Sequence, residues 1–332
     1  MYMKNKKILI PILIVLLAVL ALLIFFAVRS TANENIEDAG TSAHADRPVT
    51  SLERDGEQAS LKRNMDTLLI LGTDNYDKPN ETGIDLYYNF DQSDFLVVLV
   101  FDNHAGTVQA IQLNRDTMCN VYWLDVIGQV GGTVYQHLAF AHTYGSGKED
   151  SCEVTKMTVQ DLLFGAPLDN YVAFTMDAVP ILNDLVGGVT VSIDRDMTIV
   201  DPAFTKGTTL TLMGNQALTY ARARMALGDT DNEARLYRQR TYLEGLIKSA
   251  TEAFHQDSSL PIKFYNAAEQ YMCTDMDASY MSEIADKFDR YEYLGMLSPA
   301  GEDVEGELFN EFYVDQDDLW NIVKTAFCDT SR

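Results

Sequence analysis

The sequence predicts an α/β fold: a layered α/β/α domain around a mixed central sheet, preceded by one transmembrane helix. Three observations carry this. Short, wholly apolar runs bounded by turn residues, such as Phe95–Phe101 (FLVVLVF), have the pattern of strands buried on both faces. Segments with apolar residues at i, i+3 and i+4 lie between such runs from start to finish, which is the interleaving of layered α/β domains. A long apolar run, Ile8–Val28, stands near the start of the chain.

That first run is interrupted only by Pro11 and is long enough to cross a hydrocarbon core of about 30 Å at ~1.5 Å per residue. Lys4, Lys6 and Lys7 precede it, so the positive-inside rule makes 1–7 a basic cytoplasmic tail and 8–28 the span. A cleaved signal peptide is the other reading, with Ser30-Thr31-Ala32 as the processing site. Its apolar region is ordinarily only about 7–15 residues. Either way the rest of the chain lies outside the cytoplasm, and the protein belongs to the cell membrane or its outer side. A transcription factor acting on DNA is thereby excluded.

Residues 29–64 are polar and weakly periodic, an extracytoplasmic linker. The main domain is expected over 65–250. Thr67–Leu71 is a buried strand ending in the turn Gly72-Thr73-Asp74-Asn75. Phe95–Phe101 and Thr107–Leu113 are two more, joined by a hairpin at Asn103, His104 and Gly106. Helical periods follow at Val134–Tyr144 and Val154–Phe164. Tyr171–Phe174 and Val189–Ile193 read as strands, with a helix at Ala178–Val186 closed by Gly187-Gly188. Asn215–Ala223 and Glu233–Ala250 read as helices. Residues 251–332 are expected as an acidic C-terminal extension, packed on the main domain or folded separately. Helices at Ile262–Tyr271, Met281–Tyr291 and Asp317–Phe327 and a strand at Phe309–Val314 are expected within it.

The net charge is −24, from 25 Lys and Arg against 49 Asp and Glu. Lys4, Lys6, Lys7 and Arg29 all fall in the first 29 residues, which hold no acid. Taking these four from the 25 leaves 21 basic against 49 acidic residues in the remainder. Such a surface excludes a generic nucleic-acid binder, since phosphate backbones select basic faces. Four cysteines, Cys119, Cys152, Cys273 and Cys328, allow two disulfides in an exported chain. Proximity in sequence pairs Cys119 with Cys152 and Cys273 with Cys328, and four free thiols are the other reading. No CxxC spacing points to zinc.

Against this acidic background five arginines gather in one window: Arg222, Arg224, Arg235, Arg238 and Arg240, with no lysine among them. The planar guanidinium fork suits bidentate phosphate binding, where lysine is a point charge. A salt-bridged surface is the competing reading, because Asp229, Asp231 and Glu233 are adjacent. Asn114-Arg115-Asp116-Thr117 follows the third strand, at the carboxyl end of the sheet where α/β ligands gather. Asp74 follows the first strand and Asp94 precedes the second. If these strands are antiparallel neighbours, both carboxylates share one end of the sheet, and two hard oxygen ligands suit magnesium. An Asx-turn at Asp74 and a plain strand-edge Asp94 are the alternatives.

Several of these motifs occur together in one known family. Leu71-Gly72-Thr73-Asp74, Ser93-Asp94, Asn114-Arg115-Asp116-Thr117, Gly187-Gly188-Val189-Thr190-Val191, the run Leu212–Arg224 (LMGNQALTYARAR) and Arg235–Arg240 (RLYRQR) appear in that order. Over about 66–250 the chain resembles the LytR-CpsA-Psr family. The resemblance implies a membrane-anchored phosphotransferase that attaches anionic glycopolymers, of teichoic acid or capsular polysaccharide type, to peptidoglycan. The donor it implies is polymer on a polyprenyl diphosphate lipid. The product is a phosphodiester, usually to the hydroxymethyl oxygen of N-acetylmuramic acid. It implies magnesium on Asp74 and Asp94, and a diphosphate clamp of Arg115, Arg222, Arg224 and Arg235 supported by Arg238 and Gln239. It makes Arg115, Asp116, Arg222 and Arg224 the catalytic set, with Asp116 orienting Arg115 or accepting a proton.

The chain departs from the family pattern at Tyr76 and Gln92, where arginines are common, and at the HLAFAHTY segment, where His142 is a possible additional polar contact. Helices at 134–144 and 178–186 are expected to line a groove for the lipid tail. Two other functions use the same residues: hydrolysis of polyprenyl diphosphates, and non-catalytic binding of envelope lipids by a regulatory protein.

Overall fold

In the computed structural model the described residues are 49–73, 91–223, 233–257, 259–277, 290–307 and 309–329, with 280, 281, 283, 284 and 287. They fall into two compact units. One holds Met176–Tyr271 and Asp277–Tyr293, the other the described parts of Ser42–Thr175, Met272–Met276 and Leu294–Arg332. The expected span, the basic tail and most of the linker lie outside the described residues. No described helix is long and apolar enough to cross a membrane.

The second unit is built on a six-stranded sheet. It contains β1 (Ser51–Arg54), β2 (Glu57–Ser60), β3 (Met65–Thr73), β4 (Ser93–Asp102), β5 (Thr107–Leu113), β6 (Met118–Leu124), β7 (Val130–His137), a 3-10 turn (Leu138–Thr143), α1 (Glu149–Leu162) and β8 (Asn170–Thr175). The other unit supplies α2 (Ala178–Leu185), β9 (Val189–Ser192), β10 (Thr209–Leu212), α3 (Asn215–Arg222), α4 (Glu233–Gln256) and α5 (Leu260–Ala268). The chain then returns to the sheet unit with β11 (Met272–Thr274), β12 (Glu292–Leu297), β13 (Gly301–Glu305), β14 (Asn310–Val314) and α6 (Gln316–Phe327).

The central sheet runs β11-β8-β3-β4-β5-β12. β3 is parallel to β8 and antiparallel to β4, so the sheet is mixed, as the sequence predicts. Successive side chains point to opposite faces. Leu69, Leu71, Val98, Val100, Ile111 and Leu113 share a core with Cys152 and Val159 of α1 and with Leu319, Val323 and Phe327 of α6. Leu68, Val97, Leu99 and Ala110 point the other way and are buried too. Burial of both faces is why these strands read as unbroken apolar runs.

Register brings the loops of interest to one end. Thr73 of β3 lies opposite Ser93 of β4 on one side and Thr175 of β8 on the other. Leu96 of β4 lies opposite Leu113 of β5. Asp94 and Asn114–Thr117 therefore emerge at the same sheet end, where β3 delivers the chain into Asp74.

One expectation is corrected. Val134–Tyr144 is not a helix: its first part is β7, paired with β6 in the hairpin register Val121↔Val134 and Trp123↔Gly132, and its second part is the 3-10 turn. The apolar positions fit a 3.6 period by coincidence. Val134 and Tyr135 are exposed on β7, whereas Leu138, Ala139 and Ala141 are buried in the turn. The lipid groove expected from a helix at 134–144 therefore has no such wall, while the helix expected at 178–186 is present as α2. The stretch after 250, expected as an extension packed on the main domain or folded separately, contributes to the central sheet and its core. Its strands β11 and β12 form both edges of the central sheet, and α6 contributes Leu319, Trp320, Val323 and Phe327 to the core. Asp315 caps α6 by accepting from the Asp317 and Asp318 amides at 2.9 and 3.0 Å.

In the other unit the β9–β10 hairpin packs with α2, α3, α4 and α5 around Val189, Val191, Phe204, Leu212, Tyr220, Tyr242, Leu246 and Phe264. Gly187 and Gly188 end α2 at φ 81° and 90°, a backbone region closed to most side chains. A Cβ on Gly188 would stand 2.6 Å from Thr211 Cγ2 and 2.8 Å from the Leu212 carbonyl oxygen. Gly188→Ala is therefore expected to cost about 1–3 kcal/mol. Urea unfolding of the full chain checks this by a lowered midpoint relative to wild type.

Candidate functional site

The carboxyl end of β5 and the amino end of β4 meet at Arg115. Its guanidinium makes three interactions. Nη1 pairs with Asp94 Oδ1, Nε lies 3.1 Å from Asp116 Oδ1, and Nη2 donates to Gln92 Oε1 at 3.0 Å. All three charged side chains are largely withdrawn from solvent, at 15% exposure for Arg115, 6% for Asp94 and 3% for Asp116. The Arg115 guanidinium thus faces two buried carboxylates. Breaking such a pair by removing one partner leaves an uncompensated buried charge.

The loop holding Arg115 is fixed by its own polar groups. Asn114 Oδ1 accepts from the Asp116 amide at 2.9 Å, an Asx-turn, and the Thr117 hydroxyl donates to the Asn114 carbonyl at 2.6 Å. The 3-10 turn adds two bonds, Ala139 N–H to the Arg115 carbonyl at 2.9 Å and Leu138 N–H to that of Thr117 at 2.8 Å. The Asp116 carbonyl accepts from Phe312 N–H of β14 at 2.8 Å. Arg115 is thus a loop arginine paired with Asp116 at the carboxyl end of β5.

Gln92, a departure from the family pattern, accepts from Arg115. Its neighbour Asp91 is held through its carbonyl, 3.0 Å from His142 Nδ1. A carbonyl only accepts, so Nδ1 carries the proton and His142 is neutral with Nε2 unprotonated. Burial pushes the His142 pKa down to about 4, against smaller upward influences from the Asp91 carbonyl and Asp150. Ser93 and Thr175, on either side of Thr73 across the sheet, have buried hydroxyls with no hydrogen-bond partner among the described residues. Sequence reading missed these two hydroxyls, because only strand register sets them level with Thr73.

The remaining arginines belong to the other unit. Arg222 is exposed at the end of α3. Arg238 is 1% exposed within α4 and donates through Nη2 to the Ala223 carbonyl. It thereby holds the backbone just before Arg224. Gln239 is buried beside it, and Tyr220, whose pKa burial pushes up to about 12, feels the Arg238 charge. Asp74 and Arg224 lie outside the described residues, as does the Arg235 side chain. The structure brings Asp94, Arg115 and Asp116 together. Among the described residues no group of three or more His, Cys, Asp or Glu side chains is placed to hold a metal ion.

The LytR_cpsA_psr family pattern matches residues 23–325. The chain belongs to the LytR-CpsA-Psr family. It is 26% identical over 193 residues to the polyisoprenyl-teichoic acid–peptidoglycan teichoic acid transferase TagU of Bacillus cereus (strain AH820), covering 58% of this chain and 55% of that protein. To TagU of Bacillus subtilis (strain 168) it is 27% identical over 197 residues, covering 59% and 56%. It thus spans about half the length of the curated relatives it matches. Among solved structures, the protein gbs0355 from Streptococcus agalactiae superposes with a TM-score of 0.62 at 21% identity, over 79% of this chain and 88% of that one. A structure of TagT bound to LI-WTA superposes with a TM-score of 0.57 at 20% identity, over 80% and 90%. Both show the shared mixed α/β fold.

His142 gives this site a pH signature. Its folded pKa is depressed below the unfolded value, so its contribution to stability is present above about pH 6.5 and is lost as pH falls through about 4. The shift is worth up to about 3 kcal/mol. Melting temperatures measured between pH 7 and 4 are expected to fall more steeply for wild type than for His142→Gln.

Proposed function

We propose that this chain is a membrane-anchored phosphotransferase that moves an anionic glycopolymer from a polyprenyl diphosphate lipid to a peptidoglycan hydroxyl, forming a phosphodiester. The observation that carries the reading is the buried Arg115 held by Asp94, Asp116 and Gln92 at the sheet end, in a chain of this family. The names of the teichoic acid transferases TagU supply the substrate classes. Capsular polysaccharide is the alternative polymer of the same chemistry.

In this reading Arg115 binds a phosphate oxygen and stabilises the charge that develops as the anhydride bond breaks. Asp116 holds Nε and Gln92 holds Nη2, so the guanidinium is oriented before substrate arrives and little reorganisation accompanies reaction. Arg222, Arg224 and Arg235 add positive charge to the same diphosphate. Arg238, through the Ala223 carbonyl, and its neighbour Gln239 position the segment that leads to Arg224.

The donor chemistry supports magnesium: Asp94 and Asp116 offer hard carboxylate oxygens, and the hydroxyl of Ser93, next to Asp94 in the chain, is buried without a hydrogen-bond partner among the described residues. Asp94, with Asp74, would hold the ion, which when bound offsets phosphate charge. The apolar run 8–28, with lysines before it, supports an anchor with a cytoplasmic amino end and an extracytoplasmic domain, close to a lipid-borne donor.

The test incubates the full chain in detergent with a lipid-linked anionic glycan, magnesium and a peptidoglycan fragment. A covalent glycan–peptidoglycan product supports transfer. Glycan released onto water instead makes the protein a hydrolase, and binding without turnover makes it a lipid-binding regulator. Arg115→Lys keeps a positive charge against Asp94 and Asp116 but loses the fork, and it is expected to lower kcat/KM at least about 100-fold with the fold retained. Wild-type turnover in that variant would contradict the assignment.

A further inference from the structure

The β6–β7 hairpin differs from the rest of this acidic chain. Its strands and turn, residues 118–137, hold one charged side chain, Asp125, where the chain as a whole is 22% charged. At the tip Val126 and Ile127 are 68% and 76% exposed, and Val130, which opens β7, is 46% exposed. Turns ordinarily carry Gly, Pro, Asn, Asp or Ser at such positions.

The tip is closed on itself and its polar groups turn inward. Asp125 Oδ1 accepts from the Ile127 and Gln129 amides, both at 2.9 Å. The Asp125 amide donates to the Gln129 carbonyl at 2.7 Å, and the Gly128 amide to the Asp125 carbonyl at 3.0 Å. Gly128, at φ 77°, supplies the left-handed residue of this closure. The hairpin's one carboxylate is thus engaged by its own loop. Internal satisfaction of this kind is what an apolar environment demands of a backbone. Three residues before Val126, the partly exposed Trp123 ring covers Gly131, and tryptophan is a residue of membrane–water interfaces.

We infer that this tip dips into the outer leaflet of the lipid bilayer. The inference rests on the proposed anchor at 8–28. Residues 29–48 span at most about 70 Å even when fully extended, so an anchored domain stays beside the bilayer. Anionic lipids repel an acidic surface, and a tip almost free of charge is the part suited to approach them. The acidic β13–β14 hairpin meets β6–β7 at its base, where the Asn310 carbonyl lies 2.9 Å from His137 Nε2 and Phe312 is bridged to Thr117. That base pairs Met118 with His137, directly after the Arg115 loop. Seven residues of β6 at ~3.3 Å each put the tip up to about 23 Å from the base, so an inserted tip holds the Arg115 loop within about that distance of the lipid.

To test it, the full chain and its Ile127→Trp variant are reconstituted into phosphatidylcholine vesicles with plain or brominated acyl chains and floated on a density gradient. Trp123 and Trp320 are the native tryptophans, so the difference between variant and parent reports position 127. The added emission is expected to fall about twofold or more in brominated vesicles, as burial at the headgroup–acyl boundary predicts. Adding Val126→Asp should restore it, with the circular dichroism spectrum unchanged. A variant that floats but is unquenched, its tip in water or against a second copy, would overturn the inference and leave the anchor standing. So would quenching that Val126→Asp does not relieve. Failure of the chain to float would remove the anchor and the inference with it.

Discussion

The Arg115 guanidinium is the point on which the sheet-end site depends. Asp94 is the second residue of β4 and pairs with it, while Asp116, in the loop after β5, and Gln92, just before β4, accept hydrogen bonds from it. Without the arginine, two carboxylates would remain nearly out of water within reach of one another. Burial makes the arrangement costly to assemble and costly to break. That is a reason for so many neutral bonds, from Asn114, Thr117, Leu138, Ala139 and Phe312, to be spent on a four-residue loop.

Sheet register makes this meeting possible. A strand buried on both faces has little freedom to slip, since a one-residue shift would reverse every side chain. The pairing of β3, β4 and β5 therefore fixes where Asp94 and Arg115 emerge to within a residue. The same constraint extends to β8 and β11 on the far side. There Thr274 donates to the Tyr171 carbonyl at 2.6 Å and Cys273 lies opposite Ala173. Acidic residues elsewhere on the surface do not compete for the arginine, because it is enclosed.

The three apolar strands, the β4–β5 hairpin, α1, α2, α3 and α4 were legible because their burial imposes a strong period. The β6–β7 hairpin was not. Val134, Leu138 and Ala141 satisfy a helical spacing, and the turn signal Gly131-Gly132 lies just before them, where Trp123 covers the glycines. The edge strands β11 and β12 were hidden for another reason: a short strand at a sheet edge needs few apolar residues, and β11 has only three positions in all. At the site, Arg115, Asp116 and Asp94 were legible from motif and strand position. The part of Gln92 was not, because a residue that departs from a family pattern gives no sign of what it touches. His142 read as a possible polar contact and is a buried brace on the Asp91 carbonyl. Arg238 read as a supporting residue, and its bond to the Ala223 carbonyl supplies the physical form of that support.

Enclosure also links the site to helix α1. His142 touches the Asp91 carbonyl with one nitrogen and Cys152 with the other, so one neutral imidazole joins the strand that leads to Asp94 and the helix that carries Cys152. The account stands or falls on Arg115 and Asp94 acting as one unit. A double-mutant cycle of Asp94→Ala and Arg115→Ala, read by urea unfolding of the full chain, tests that directly. A coupling of about 1.5–3 kcal/mol is predicted for a buried, mutually dependent pair. A coupling below about 0.5 kcal/mol, the additivity of independent sites, would contradict it.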